Sequence, residues 1–282
     1  MPPGQTPNPT QADLWNTRSG ETWVALAPLL DRMLQPFLRP LLDAVAAHGA
    51  HDVLDIGCGA GATTLAAARA LEGRGRCLGA DVSTPLVEAA RRRVAEARVD
   101  NAAFVLADAQ RFAFEPEAFD LMISRFGVMF FDDPVAAFAN LRRAARPSAG
   151  LALIAWRGPA DNTFMTTAEQ AAASLLPPSP PPVANAPGQF AFADADRVRG
   201  ILEASGWRDI AIRALDVPCV LPEDDLLTYT TRLGPIGMKL PDLDAETRQK
   251  VIAALGEAFA PYVTDGVARF DAACWLIEAR NG

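Results

Sequence analysis

Histidine is nearly absent from the sequence, which has only His48 and His51 among its 282 residues. Both precede the first strand-like segment, at 52–56, so they would lie at the amino end of a parallel sheet. Such sheets bind ligands at the carboxyl ends of their strands. We therefore expect both histidines to be solvent-exposed turn residues, and we expect no histidine general base from this chain.

Cysteine is also scarce, and its four residues, Cys58, Cys77, Cys219 and Cys274, are far apart and form no C-x-x-C pair. This spacing disfavours a zinc site and a disulfide framework, so no metal is predicted. Reduced thiols in a reducing compartment fit best.

Long apolar runs and basic runs are missing as well. No apolar segment is long enough to cross a bilayer, and the first 15 residues lack the apolar core of a signal peptide. We therefore expect a cytoplasmic protein, with a flexible N-terminus over residues 1–12. The formal net charge of −8 disfavours a nucleic-acid partner, because an acidic chain repels phosphate backbones.

The chain does contain a regular alternation of strand-like and helix-like segments. Strands alternating with helices of this length predict a doubly wound α/β fold with a parallel sheet. The strand-like segments are 52–56, 77–82, 103–108, 120–124 and 151–156, and the helix-like segments between them are 61–71, 84–98 and 135–145.

Helical patterns flank this alternation. Residues 13–47 predict short helices divided by prolines, and two later strands, 210–221 and 270–280, predict a hairpin that closes the sheet edge. The fold prediction is therefore a Rossmann-like, seven-stranded sheet, mostly parallel with an antiparallel last strand, preceded by N-terminal helices. Residues 13–282 would form one domain, with a core of 50–157, 190–221 and 268–282, cap insertions at 161–188 and 222–266, and a proline-rich loop at 176–188.

The segment VLDIGCGAGATTLAAARAL, residues 53–71, places Gly57, Gly59 and Gly61 between a strand and a helix. Glycines let a backbone approach a ligand closely and turn without a Cβ clash. The crevice at this edge of such a sheet is the usual ligand site. A tight strand-to-helix turn without a ligand is the alternative.

Three aspartates near the ends of the first three strands narrow the choice of ligand. Asp55 would repel a pyrophosphate but suits an ammonium group, although it could also only cap the loop. Asp81 stands where an acidic residue binds ribose hydroxyls. Asp108 could reach the exocyclic amine of an adenine. An ammonium, a ribose and an adenine together describe S-adenosyl-L-methionine. Asp55, the G-x-G-x-G spacing of the glycines in place of G-x-G-x-x-G, and the terminal strand pair disfavour an NAD-dependent oxidoreductase.

Four motifs, VLDIGCGAGATTL, GADVS, LADAQ and DLMISRFGVMFFDDP, follow one another in this order. They resemble the successive motifs of class I S-adenosylmethionine-dependent methyltransferases. The sequence is most similar to the small-molecule branch that includes the ubiquinone/menaquinone-biosynthesis methyltransferases. The resemblance extends over about 52–156.

The resemblance implies a role for each matching position. The three glycines would approach the methionine moiety, with Asp55 serving its ammonium directly or through water, and Asp81 would hold the ribose. Val82 and Leu86 would pack near the adenine, Asp108 would bind its amine and the Ala109 backbone its ring, and Ser124 and Arg125 would flank the methionine. The predicted cofactor-binding residues are Asp55, Gly57, Cys58, Gly59, Gly61, Asp81, Val82, Leu86, Asp108, Ala109, Ser124, Arg125 and Trp23.

The segment FGVMFF, 126–131, predicts an apolar acceptor pocket just past the fourth strand, with core packing as the alternative. Trp15 and Trp23 could close the cofactor from the N-terminal side, and the two insertions could roof it as a mobile cap. The predicted pocket residues are Phe126, Met129, Phe130 and Phe131. The predicted partner is a small acceptor, such as a phenol, a quinol or an amine.

No general base is assigned from the sequence. The candidates are Asp132, Asp133, Tyr229, Tyr262 and Arg125, and the Asp-Asp-Pro run at 132–134 also reads as a helix N-cap. The leading hypothesis is methyl transfer to a small molecule. The alternative is a protein that binds S-adenosylmethionine without catalysis, as a sensor or an assembly partner.

Overall fold

The computed structural model describes residues 9–177, 183 and 185–282. Residues 1–8 of the predicted flexible N-terminus lie outside the described residues, as do 178–182 and 184 of the predicted proline-rich loop. The first helix, α1, is Pro9–Trp15, so it begins inside the segment for which we expected no regular structure.

One sheet organises the molecule. Its strand order is β3-β2-β1-β4-β5-β8-β6, and the short β7 pairs with β8. The first five strands are mutually parallel, whereas β8 is antiparallel to both β5 and β6. The predicted doubly wound sheet with an antiparallel last strand is confirmed. The strands are β1 Asp52–Ile56, β2 Arg76–Asp81, β3 Ala102–Leu106, β4 Phe119–Arg125, β5 Ala145–Trp156, β6 Trp207–Pro222, β7 Val263–Thr264 and β8 Val267–Asn281.

Burial follows strand position. The central strands β4 and β5 are buried almost throughout, because helices cover both faces of a parallel sheet. The edge strand β6 instead alternates buried and exposed residues towards its end. The remaining helices are α2 Arg18–Ala25, α3 Ala27–Met33, α4 Leu38–Ala47, α5 Ala62–Ala70, α6 Thr84–Ala97, α7 Pro134–Ala144, α8 Thr163–Ala172, α9 Ala195–Ala204, α10 Glu223–Arg232, α11 Gly234–Lys239 and α12 Ala245–Phe259.

The N-terminal helices form a layer that touches both the sheet and the later insertions. Arg32 of α3 forms an ion pair of 2.6 Å with Asp225 of α10, and Arg18 of α2 lies 3.6 Å from Asp242. Helix α8 packs against α12 and α11, so the two insertions meet each other. The layer and the insertions therefore form one connected covering.

The amino edge of the sheet is held by an ion-pair network. Arg146 bonds to Asp52 at 2.7 Å and to Asp120 at 2.5 Å, and Arg76 also bonds to Asp52. His51 is exposed, as predicted. His48 differs from the prediction: it is half-buried, because its ring lies against Gly150 and its Nδ1 is 3.0 Å from the Ala44 carbonyl.

Candidate functional site

The glycine loop between β1 and α5 puts its three glycines in three different surroundings. All three have positive φ, which favours glycine. A Cβ on Gly57 would lie 2.6 Å from the Gly127 Cα, and one on Gly61 would lie 2.8 Å from the Phe104 ring. A Cβ on Gly59 would meet no atom within 4 Å. Gly57 and Gly61 therefore pack against protein, whereas Gly59 borders open space.

Asp55 is the most distinctive polar group at this edge. It is 1% exposed, and its Oδ2 accepts a hydrogen bond of 2.6 Å from the Thr64 hydroxyl. Its Oδ1 is buried and has no partner among the described residues. Burial raises the pKa of Asp55 to about 6, against the opposing effects of Thr64 and the charge of Arg125. An unpaired buried carboxylate oxygen is costly, so it suits a cationic ligand group.

Asp81, the last residue of β2, binds the loop itself. Its Oδ2 accepts from the Gly59 N–H at 2.8 Å, and its Oδ1 accepts from the Ser83 N–H at 2.9 Å. Burial raises the pKa of Asp81, although these hydrogen bonds counteract it. The neighbouring Val82 is half-buried, and Leu86 is buried in the first turn of α6.

Cys58 lies between the first two loop glycines but faces an apolar cluster with Val87, Ala90 and Phe104. Burial raises the pKa of its thiol well above the ordinary value. The thiol is therefore neutral at physiological pH and packs in this cluster.

Asp108 lies two residues beyond β3, in a turn, rather than inside the strand as predicted. Its Oδ1 accepts from the backbone N–H of Gln110 at 3.0 Å and from its side-chain amide at 3.2 Å. The Gln110 Oε1 accepts the N–H of Asp132 at 2.7 Å. Gln110 therefore links the loop after β3 to the loop after β4. Ala109 is buried beside Asp108, and its carbonyl accepts a hydrogen bond from Asn140.

Ser124 and Arg125 end β4 in different ways. The Ser124 hydroxyl donates to the Ile56 carbonyl at 2.7 Å and accepts from the Gly127 N–H at 3.2 Å. It therefore braces the two adjoining loops. Arg125 is half-buried and donates to the Leu34 carbonyl at 3.1 Å.

Phe126 follows β4 with a φ of +65°, in the left-handed region that bulky residues rarely adopt. Its ring stacks on Trp156 at 4.2 Å, with 3° between the planes, and meets Phe37 edge-on at 5.1 Å. Strained backbone of this kind concentrates at functional sites. This aromatic stack, called here the aromatic wall, lies at the carboxyl edge of the sheet, with Trp156 buried and Phe126 half-buried.

Of the other predicted pocket residues, Met129 lies in the core and Phe130 contacts the N-terminal helices. Met129 is 1% exposed and belongs to the core. Phe131 packs edge-on against Phe138. Phe130 is half-buried and meets Trp15 edge-on at 5.5 Å, which joins this segment to the N-terminal layer.

The N-terminal layer is fixed to the turn that follows Asp81. The Ser83 hydroxyl donates to the Trp15 carbonyl at 2.6 Å. The Asn16 amide donates to the Val82 carbonyl at 3.0 Å, and its Oδ1 accepts the Thr84 N–H at 2.8 Å. Trp23 packs edge-on against Trp15 at 5.5 Å. The Trp15 backbone therefore lies beside the turn after Asp81, and the described ring contact of Trp23 is with Trp15.

Two of the general-base candidates, Asp133 and Tyr229, have another role or an unsuitable pKa. Asp133 caps α7 by accepting the Ala136 N–H at 3.0 Å, as its helix-cap alternative required. Burial raises the pKa of Tyr229 to about 12, so its phenolate is not available at neutral pH. The Tyr262 hydroxyl lies 3.2 Å from the Thr167 hydroxyl.

The sequence analysis did not predict the contacts that four residues make at the carboxyl edge of the sheet. These residues are Thr64, Trp156, Asn16 and Gln110, which links two loops. Thr64 had a usable signal, because it lies one turn into the helix that follows the glycine loop. Asn16 had none, since its partners are 66 and 68 residues away in the chain.

The site fits the predicted cofactor by two observations. The unpartnered Asp55 oxygen suits an ammonium, and the space beside Gly59 leaves room for a ligand against the loop. Within the described part of the chain, no group of three or more His, Cys, Asp or Glu residues could hold a metal ion. Among the described helices, none has the length and apolar character needed to span a membrane.

Residues 53–148, about a third of the chain, match the family model described as a methyltransferase domain. The aklanonic acid methyltransferase DauC of Streptomyces sp. strain C5 is 34% identical over 105 residues, or 37% of this chain and 48% of the relative. The demethylmenaquinone methyltransferase of Lactiplantibacillus plantarum is 32% identical over 106 residues, or 37% of this chain and 44% of the relative. This chain thus spans about half the length of the curated relatives that it matches.

Among solved structures, the [4+2]-cyclase SpnF superposes with a TM-score of 0.56 at 19% identity, over 93% of this chain and 94% of that chain. At this identity the likeness shows the fold alone. The family match and the relatives confirm the resemblance to class I S-adenosylmethionine-dependent methyltransferases and to their menaquinone-biosynthesis branch.

Proposed function

We propose that this chain, whose residues 53–148 match a methyltransferase domain, transfers the methyl group of S-adenosyl-L-methionine to a small apolar or aromatic acceptor. The cofactor is S-adenosyl-L-methionine, which when bound supplies an activated methyl group on a sulfonium. The observation that carries the proposal is the unpartnered, buried oxygen of Asp55 next to the open space at Gly59.

The residues of this edge mainly position and cover. Asp55 and the loop around Gly59 would hold the methionine end, and Asp81 would hold the ribose. Positioning of two reactants can lower a barrier by about 7–11 kcal/mol. Trp15 and Trp23 would exclude water on the ribose side, because their layer is bonded to the turn after Asp81.

The aromatic wall supports an apolar or aromatic acceptor. The stack of Phe126 on Trp156 lies beside the end of β4 with Phe126 half-buried, and Phe37 meets Phe126 edge-on. Aromatic rings contribute about 0.5–1.5 kcal/mol per well-oriented pair beyond their buried area. A phenol or quinol would pack on this wall with its oxygen towards the loop edge.

Two of the general-base candidates are unsuited to the role, since Tyr229 has a high pKa and Asp133 caps a helix. A general base contributes about 10²–10⁴-fold. The proposed acceptor is therefore one that loses its proton readily in solvent, such as an acidic phenol, a quinol or a free amine.

Isothermal titration with S-adenosyl-L-methionine, S-adenosylhomocysteine and NAD tests the cofactor. We expect the first two to bind and NAD not to bind. Asp81→Ala should abolish binding, but it also removes the acceptor of the Gly59 N–H, so thermal unfolding must show that the variant is folded. NAD binding, or no binding of any of the three, would contradict the proposal.

A binding protein without catalysis remains the second hypothesis, because two of the general-base candidates, Tyr229 and Asp133, are unsuited to that role. An acceptor panel of phenols, quinols and amines, read by mass spectrometry for a gain of one methyl group, separates the two. Tight cofactor binding with no methylated product from the whole panel would favour the second hypothesis.

A further inference from the structure

Two neighbouring charged residues of helix α3 point to different parts of the molecule. The helix is fixed to the core by its buried face. Asp31 and Arg32 are adjacent in the chain, and adjacent side chains on a helix point about 100° apart and do not face each other. The acid and the base can therefore bind two separate elements at the same time.

Asp31 is linked to the glycine loop through one arginine. Its Oδ2 lies 2.5 Å from Nη2 of Arg93, on α6. Nη1 of the same guanidinium donates to the carbonyl of Ala60 at 2.8 Å. Ala60 stands between the second and third glycines of the loop. A ligand that orders the loop therefore also orders the bridge from the loop to α3.

Arg32 is linked to the second insertion, 222–266. Its Nη2 forms an ion pair of 2.6 Å with Oδ2 of Asp225, in the first turn of α10. A second pair between the N-terminal layer and this insertion, Arg18 with Asp242, is longer, at 3.6 Å, and more exposed. Arg32 therefore makes the closer of these two bridges.

Helix α10 reaches the aromatic wall through a series of ring contacts. The ring of Tyr229, on α10, lies 6.5 Å from that of Phe270. Phe270 stacks on Phe164 at 4.9 Å, and Phe164 meets Trp156 edge-on at 6.4 Å. Trp156 belongs to the aromatic wall, on which the proposed acceptor would pack. The two bridges from α3 thus lead to the proposed cofactor loop and towards the proposed acceptor side.

We propose that α3 couples the glycine loop to α10, and so links cofactor binding to acceptor binding. The pair of Asp31 with Arg93 is the link to the loop. The pair of Arg32 with Asp225 is the link to α10. All four are positioning residues, and the inference rests on the proposed function because it needs a ligand at the loop. A ligand that orders the loop then also stabilises α10, and coupling of this kind is reciprocal, so an acceptor that stabilises α10 strengthens cofactor binding.

Amide hydrogen exchange with and without saturating S-adenosylhomocysteine measures this coupling in the native protein, without an acceptor. We expect the ligand to slow exchange in both α3 and α10 by about 5-fold, at the lower end of couplings between sites, since exposed ion pairs are weak.

Salt separates the two links without any variant. At about 1 M NaCl the Debye length falls to about 3 Å. The side chains of Arg32 and Asp225 are 56% and 31% exposed, whereas those of Arg93 and Asp31 are 31% and 29% exposed. With the ligand still saturating, α10 should therefore lose its protection at high salt while α3 keeps it.

Variants assign the coupling to each link. Arg32→Gln should abolish the protection of α10 and leave that of α3. Asp31→Ala should abolish both, because it breaks the link on the side of the loop. Arg32→Glu combined with Asp225→Arg restores an ion pair of opposite polarity and should restore part of the protection of α10. Arg39→Gln is the matched control, because it removes an exposed arginine whose ion pair, with Asp43, stays within α4.

The outcomes separate this inference from the proposed function. If S-adenosylhomocysteine does not bind the native protein, the cofactor assignment fails and the inference fails with it. If it binds and exchange in α10 is unchanged, only the inference is overturned. The inference is also overturned if Arg32→Gln keeps the protection of α10, or if Arg39→Gln loses it. Should a single variant fail to fold, the comparison at low and high salt still decides.

Discussion

The hydroxyl of Thr64 and one carboxylate oxygen of Asp55 share a hydrogen bond of 2.6 Å, and the second oxygen of Asp55 is buried without a partner among the described residues. One oxygen of this carboxylate is therefore satisfied by the fold, and we propose that the other accepts a ligand group. Such a group opposes folding in the free protein and favours binding, and the first two predictions separate these effects.

Asp55→Asn should stabilise the free protein at neutral pH. Burial raises the pKa of Asp55 from 3.8 to about 6, so the ionised form costs the native state about 3 kcal/mol. The cost is absent below the unfolded pKa of 3.8 and complete above about pH 6. Urea unfolding of both proteins should therefore show the advantage of the variant growing between pH 4 and pH 7. An advantage that does not change with pH would contradict this account.

The stability of the free protein falls as the pH rises to about 6, whereas the affinity for the cofactor should rise. Protonation of Asp55 removes the partner of the ligand ammonium, so the affinity for S-adenosylhomocysteine should fall as the pH falls through about 6. The Asp55→Asn variant should bind weakly at every pH, without this dependence. Titration calorimetry at pH 5 and pH 8 measures both, and a 5′-methylthioadenosine affinity that is independent of pH is the control.

Alanine at Gly57 and at Gly59 should have different consequences. Both have a left-handed φ, which costs a residue with a Cβ about 1–2 kcal/mol. At Gly57 the new Cβ would also lie 2.6 Å from the Gly127 Cα, so Gly57→Ala should unfold more readily still. At Gly59 the Cβ would enter open space beside the loop. Gly59→Ala should therefore weaken cofactor binding more than it lowers the free energy of unfolding. Unfolding curves and titrations that do not distinguish the two variants would contradict the roles given to these glycines.

Asn16→Ala should loosen the N-terminal layer. The amide of Asn16 makes two of the bonds that hold this layer to the turn after Asp81, to Val82 and Thr84. We expect faster limited proteolysis near α1 and weaker cofactor binding, with partial protection when S-adenosylhomocysteine is present. Thr17→Ala is the control, because the Thr17 hydroxyl bonds within the layer, to the Leu14 carbonyl. Equal cleavage of the two variants would count against a covering role for Asn16.

Tyr229→Phe should leave methyl transfer within about threefold of the native rate. The phenol has a pKa of about 12, so it does not accept a proton at neutral pH. The measurement is kcat with the best acceptor from the panel, together with its pH profile. A loss of about 100-fold or more would make Tyr229 a proton-transfer residue and would overturn its exclusion here.

The parallel part of the fold was predictable because buried strands are short apolar runs, and the first, second and fourth of them are each followed by a long helical pattern. The strand boundaries that the sequence predicted wrongly depend on which strands pair, and not on the local pattern of apolar residues. Strand β6 begins at Trp207, three residues before the predicted start of this strand at 210, because Trp207 pairs with Asn281 of β8. The two-residue β7 is too short for any pattern to predict.

The site was predictable as a set of positions but not as a set of contacts. Sequence placed the acids and glycines at one edge, because parallel strands end together. It could not show that Gly57 meets Gly127, that Ser124 bonds to Ile56, or that Phe126 stacks on Trp156. Each of these joins residues 30 or more positions apart, so only the packed chain reveals them.

The place of β8 in the sheet has a consequence for the order of folding. Strands β1 to β5 are contiguous in the chain and adjacent in space, but β6 reaches the sheet only through β8, which follows it. During synthesis, the edge of β5 therefore stays unpaired while more than 100 further residues emerge. An open edge of that kind invites association with other chains. Folding on the ribosome should therefore pass through a state in which strands β1 to β5 are paired and the free edge of β5 is not yet covered by β8.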